Sequence, residues 1–184
     1  MSYKLSIKKK QWIIVIHVLS VVCWLGGAMV MLLLGTYMLK AENGEQLFYT
    51  LENMHLIDVV FVRYTALIAL LTGIVLSLWT QWGLFKHYWI LIKLTLTLLL
   101  ITFGIVYMAG WLSQLVRIAD QGRFLVLTDA AFLNTSYSLI GGAIANIIAL
   151  IFMTAISYFK PFGKIKRKDR KANPGATVAQ SNRS

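Results

Sequence analysis

Four apolar stretches alternate along the chain with short polar segments. The runs between Gln11 and Lys40, Arg63 and Lys86, Lys93 and Arg117, and Asp129 and Lys160 contain no Asp, Glu, Lys or Arg. Each exceeds the roughly 20 residues that an α-helix, rising about 1.5 Å per residue, needs to cross a hydrocarbon core about 30 Å thick. The pattern predicts an all-α, integral membrane four-helix bundle with spans near 12–39, 57–80, 89–116 and 132–159. A basic N-terminal segment, 1–11, precedes the transmembrane domain, 12–159. A basic tail, 160–184, follows it and reads as partly disordered beyond Ala172, where Asn, Gly, Ala, Gln and Ser dominate.

Composition agrees, with 58% hydrophobic residues, 14% charged residues and a mean hydropathy of +0.69. In a chain of 184 residues the spans leave no room for a second folded unit. The 13 glycines against 2 prolines suit close helix packing. The single cysteine, Cys23, lies inside the first span and excludes a disulfide framework. The apolar run after the basic start continues to Leu39, past the length of a signal-peptide core, so the first helix is expected to stay as an anchor.

Charge placement sets the expected orientation. Lys4, Lys8, Lys9 and Lys10 flank the first span, and Lys160, Lys164, Lys166, Arg167, Lys168, Arg170 and Lys171 follow the last. Both ends are therefore expected in the cytoplasm (N-in, C-in), as for a multi-pass protein of a bacterial cytoplasmic membrane. The acidic first loop, with Glu42, Glu45, Glu52 and Asp58, and the loop from Arg117 to Asp129 fall outside, and the turn Gln81 to His87 inside. The net charge of +11 is concentrated beside spans, where basic side chains are drawn to anionic lipids at about 1 kcal/mol each. Nucleic acid is not expected as a partner, because no recognition motif accompanies the charge.

Ionisable groups within a span are costly and by default suggest function. His17 lies about five residues into the first span and Lys93 about four into the third, each about 6–8 Å from the expected cytoplasmic end. Steps of three, four and seven align His17, Ser20, Val21, Trp24, Ala28 and Met31 on one stripe, and Lys93, Thr97, Gly104, Tyr107 and Trp111 on another. If the stripes face each other, imidazole and ammonium share a cytoplasm-side pocket. In the plainer alternative Lys93 snorkels to head groups and His17 bonds a carbonyl. His17 also suits a haem iron, with haem b as the cofactor, although cytochromes b of this architecture use several buried histidines. Arg63 is expected to snorkel or to pair with an acidic residue of the first loop, and Asn146 to hydrogen-bond across a close helix contact. Met29, Met31, Met38, Met54, Met108 and His55 offer soft donors toward the outer side but form no Met-xx-Met or Cys-x-x-Cys clamp. No phosphate-binding glycine loop, nucleophile elbow or paired intramembrane carboxylates are present.

HVLSVVCWLGGAMV, from His17 to Val30, resembles the HxxxxxxWxGG opening of small bacterial membrane families that include the CopD-like copper-resistance domain and the HemJ-type protoporphyrinogen oxidases. The segment VRYTALIALLTGIVLSLWTQWGLFKHYWILIKLTLTLLL is similar to the part of those groups where a helix ending in Thr-Gly is followed by a turn and a helix carrying Lys. The overall pattern resembles an uncharacterised family of predicted integral membrane proteins allied to CopD, over roughly residues 12 to 115. The HemJ resemblance implies functional roles for His17 and Lys93. The chain departs from that group at Met29 to Leu33, where Met-Val-Met-Leu-Leu replaces a Leu-Pro-Arg-Leu-Phe run.

Three functions stand at this point: an accessory or structural membrane subunit, a haem- or porphyrin-linked redox protein, and a copper-transport component. Four helices enclose a slim core, so a homo-oligomer or a partner membrane protein is also expected. Small-residue pairs at Gly73–Ser77, Ser138–Gly142 and Ala145–Ala149 are its candidate faces.

Overall fold

The computed structural model describes residues 6–79, 87–122 and 129–159. The basic tail 160–184, residues 1–5 and the turn residues 80–86 lie outside them. Among the described residues six α-helices make four rods: α1 (Ile7–Met38), α2 (Gly44–Ile57) continued by α3 (Tyr64–Trp79), α4 (Tyr88–Phe103) continued by α5 (Ala109–Gly122), and α6 (Ala130–Phe159). One π-helical turn, Asp58–Arg63, joins α2 to α3, and a second, Gly104–Met108, joins α4 to α5. All four rods are long and apolar enough to cross a membrane, and the chain is an integral membrane four-helix bundle.

The contacts fix the rods as antiparallel neighbours. Along α1, Gly35, Gly27 and His17 meet Met54, Phe61 and Gly73 in turn, so the second rod descends as the first ascends. Lys93 reaches Ser157 and Thr97 reaches Met153, which sets α6 against α4 in the same sense. Both α1 and α4 pack against α3 and α6, leaving α1 and α4 across the bundle's diagonal. The start of α1 and the end of α6 share one face of the bundle, the terminal face. Gly44 and Gly122 lie toward the opposite, loop face.

Helix phase explains the core. On α1 the buried positions Ser20, Trp24, Gly27, Ala28, Met31, Gly35 and Met38 recur at three and four, as do Phe132, Ser136, Leu139, Ala143, Asn146, Leu150, Met153 and Ile156 on α6. Outward positions such as Leu19, Val22, Leu33, Leu71, Leu99 and Ile148 are large, apolar and exposed, as expected where lipid tails replace water. Toward the loop face, Leu47, Leu51 and Met54 of α2 close on Leu112, Leu115 and Ala119 of α5 over Met31, Met38 and Phe132.

Two expectations change here. The acidic first loop is mostly helix α2, and the third rod runs to Gly122, so both rods extend past the expected spans as amphipathic helices packed on each other. Asn43 caps α2 by accepting from Gln46 N–H at 2.8 Å, while Gln46 Oε1 accepts from Glu42 N–H at 2.9 Å. At the other end, α1 begins at Ile7, and Lys8, Lys9 and Lys10 sit on its first turn. Of the small-residue faces, Gly142 is buried under Met108 and Phe103, and Gly73 lies against His17, so both serve packing within the bundle.

Candidate functional site

His17 faces α3 through one ring nitrogen. Its Nδ1 lies 3.1 Å from the Ala69 carbonyl oxygen and 2.9 Å from Thr72 Oγ1. A carbonyl can only accept, so Nδ1 carries the proton. The Thr72 hydroxyl donates to the Ile68 carbonyl at 2.6 Å, which leaves its lone pairs to receive the same imidazole N–H. Nε2 is thereby the acceptor nitrogen, and no hydrogen bond engages it among the described residues. This is the arrangement by which ligating histidines are oriented: one nitrogen tied to a backbone carbonyl, the other presented outward.

The ring has room there because position 73 is glycine. A Cβ at Gly73 would stand 3.3 Å from His17 Cε1, tighter than an ordinary packing contact. The Thr-Gly pair at the middle of α3 thus does two things at once, with the threonine anchoring the ring and the glycine admitting it.

Lys93 projects from the first turns of α4 and donates to Ser157 Oγ of α6. It therefore does not simply snorkel along its own helix. His17 and Lys93 line one cavity of about 240 Å³ between α1, α3 and α4, with Ile14, Gly73, Trp89 and Thr97 among its walls. That volume is just below the common range of small-molecule sites, about 300–1,000 Å³, and the lining matches their usual make-up of apolar walls with a few polar groups. His17 and Lys93 thus line the same cavity, while the bond of His17 to a carbonyl also answers to the plainer alternative.

The two stripes do not face each other along their whole length. Thr97 Oγ1 meets Met153 Sδ of α6 at 3.5 Å, and Tyr107 is exposed. Thr97 precedes the second π-turn and meets α6 from the regular part of α4, whereas for Tyr107 the cause is the π-turn at Gly104–Met108. Its extra residue rotates everything beyond by about 100° relative to an unbroken α-helix, which brings Met108, Leu112, Leu115 and Ala119 into line with Lys93.

Arg63 and Asn146 belong elsewhere. Arg63 Nη2 donates to Asp58 Oδ2 at 2.7 Å, fulfilling the expected pairing with an acidic residue of the first loop. The π-turn makes it feasible, since its i→i+5 closure brings residues five apart onto one side. Asn146 is buried on α6 near mid-bundle, and its Oδ1 has no hydrogen-bond partner among the described residues, so its expected interhelical bond is not made through that atom. Both residues line a second, smaller cavity with Trp24.

His55 is exposed on α2 and His87 is buried at the start of α4, and neither lines the larger cavity. Among the described residues no three His, Cys, Asp or Glu side chains converge as a metal site. Met31, Met38, Met54 and Met108 are core residues, and Met29 is exposed. Sequence reasoning did not identify Ser157, Thr72 or the Ala69 carbonyl as partners. Their signal is weak, because a serine or threonine in a span ordinarily bonds its own helix, as Thr72 also does.

Comparison of the chain with protein-family models, with curated proteins and with solved structures finds no match.

Proposed function

We propose that this small polytopic membrane protein uses the His17–Lys93 cavity as the ligating part of a site for a haem- or porphyrin-class ligand, whose macrocycle is larger than this cavity and extends beyond it. The observation that carries the reading is the orientation of His17: Nδ1 is held by Ala69 and Thr72, and Nε2 is left to ligate inside a largely apolar cavity. Lys93, on the opposite wall, supplies the cation that an acidic substituent of such a ligand needs. Trp89, Ile90 and Leu94 offer apolar contact. Iron porphyrin bound there supplies one-electron chemistry, while the chain's own residues bind, orient and exclude water. The basic residues Lys8, Lys9 and Lys10 on the first turn of α1 support placing the terminal face in the cytoplasm.

The test is a visible titration of the detergent-purified protein with ferric haem and with metal-free protoporphyrin. Wild type is expected to give a ligated Soret band that His17→Ala abolishes. Lys93→Met should weaken both ligands about tenfold or more, the equivalent of a charge-assisted hydrogen bond of about 1.5–3 kcal/mol. Identical titrations for wild type and His17→Ala would reject the reading.

A second reading, an accessory membrane subunit without chemistry of its own, draws on the bond from Lys93 to Ser157, which satisfies the ammonium inside the bundle. A wild type with no spectral response selects it. For the copper-transport alternative, no three His, Cys, Asp or Glu side chains converge among the described residues, and Met31, Met38, Met54 and Met108 are packed in the apolar core.

A further inference from the structure

The second cavity lies near the middle of the bundle, about two helical turns along α1 from His17, at Trp24. Its volume is about 30 Å³. Several features meet there. Both π-turns contribute to its wall, the first through Asp58, Val62 and Arg63 and the second through Gly104, Ile105 and Met108. The Asp58–Arg63 ion pair lines it, with the Asp58 side chain 13% exposed. Trp24 and Asn146 line it as well, at 2% and 5% exposure. Finally, Trp24 Nε1 and Asn146 Oδ1 are buried with no hydrogen-bond partner among the described residues.

An unsatisfied polar atom in such a setting costs about 1–3 kcal/mol, and native proteins rarely leave two of them beside one cavity. The unmet pair here is complementary, one donor and one acceptor. A ligand that answers both must donate and accept, and a cavity this small admits no more than a molecule or two of the simplest such species, at about 10–15 Å³ each. An anion is disfavoured by the Asp58 carboxylate and a cation by the Arg63 guanidinium, while the pair together favours a neutral dipole. π-turns are frequent at functional sites, and here they are two of the walls.

We infer that the cavity between the two π-turns is a hydrated polar site inside the membrane, taking one or two water molecules that bridge Trp24 and Asn146 to the Asp58–Arg63 pair. The site is separate from the His17–Lys93 cavity and does not depend on what that cavity binds.

Brief X-ray irradiation of the full chain in lipid nanodiscs generates hydroxyl radicals from ordered water, and mass spectrometry locates the oxidised side chains. Met108 lines the cavity, whereas Met38 and Met54 are buried in the loop-side core away from it. Met108 is expected to oxidise several-fold faster than Met38 and Met54. Oxidation at Trp24 should fall several-fold in Asn146→Leu, which removes the acceptor and occupies the space with apolar carbon. Equal rates for the three methionines in wild type would overturn the inference, whether or not the variant folds. So would unchanged Trp24 oxidation in a folded Asn146→Leu protein.

Discussion

Gly27→Ala is expected to destabilise the bundle by about 2–3 kcal/mol, the upper part of the range for overpacking a close-packed interior, whereas Gly26→Ala should leave stability unchanged or slightly raised. The two adjacent glycines look equivalent in the sequence, yet only one is at a close approach. A Cβ at Gly27 would lie 2.9 Å from both Cβ and the carbonyl oxygen of Phe61 and 3.0 Å from its carbonyl carbon, so the obstruction is mainly backbone and cannot swing aside. Nothing lies within 4 Å of a Cβ at Gly26, where alanine gains up to about 1 kcal/mol of helix propensity. Reversible unfolding in mixed micelles, comparing both variants with wild type, measures the difference. Equal stability of the two variants would refute the close packing of α1 on the first π-turn.

The other large effect is expected at the intramembrane ion pair. Arg63→Ala strands the Asp58 carboxylate beside α1 and the second π-turn with little access to water, and Asp58→Ala strands the guanidinium. Removing one member of a fully buried pair costs about 3–5 kcal/mol, and because the Arg63 side chain is 34% exposed the expected loss is smaller, about 2–3 kcal/mol. Replacing both with alanine should cost less than either single change, since no unpaired charge is left behind. The same unfolding measurement on the two single variants and the double variant forms a cycle. Additive losses would mean that the two charges do not interact across the 2.7 Å contact.

Much of this fold is written in residue type alone. The four apolar runs predict the four rods, and the stripe from His17 through Trp24 to Met31 predicts the inward face of α1, because an uninterrupted helix keeps a 3.6-residue phase. The helical nature of 44–57 was also legible, in the spacing of Leu47, Leu51 and Met54, but its acidic residues suggest a loop when weighed only for membrane crossing. The layer shared by His17 and Lys93 follows from their matched depth. What their depth does not convey is which neighbour each side chain meets. Thr72, Gly73 and Ser157 become partners only through the rotation of α3 and α6 about their axes, which is set by contacts such as Gly27 on Phe61 and Gly142 under Met108. The π-turns were not legible either. Neither Asp58–Arg63 nor Gly104–Met108 contains a proline, and only the switch in buried phase beyond them betrays the additional residue.

That additional residue makes the second and third rods unequal in how they bear shortening. Removing one residue within 58–63 or within 104–108 converts a π-turn into an ordinary α-turn while Leu51 and Ala66, or Thr97 and Leu112, stay on the inward side. A one-residue deletion elsewhere in the same rods swings all that follows by about 100° and carries an apolar face out of the bundle. Single-residue gaps are therefore better tolerated at the two π-turns than within the regular helix around them, and a shorter chain could keep the architecture while losing the polar interior that the longer one encloses.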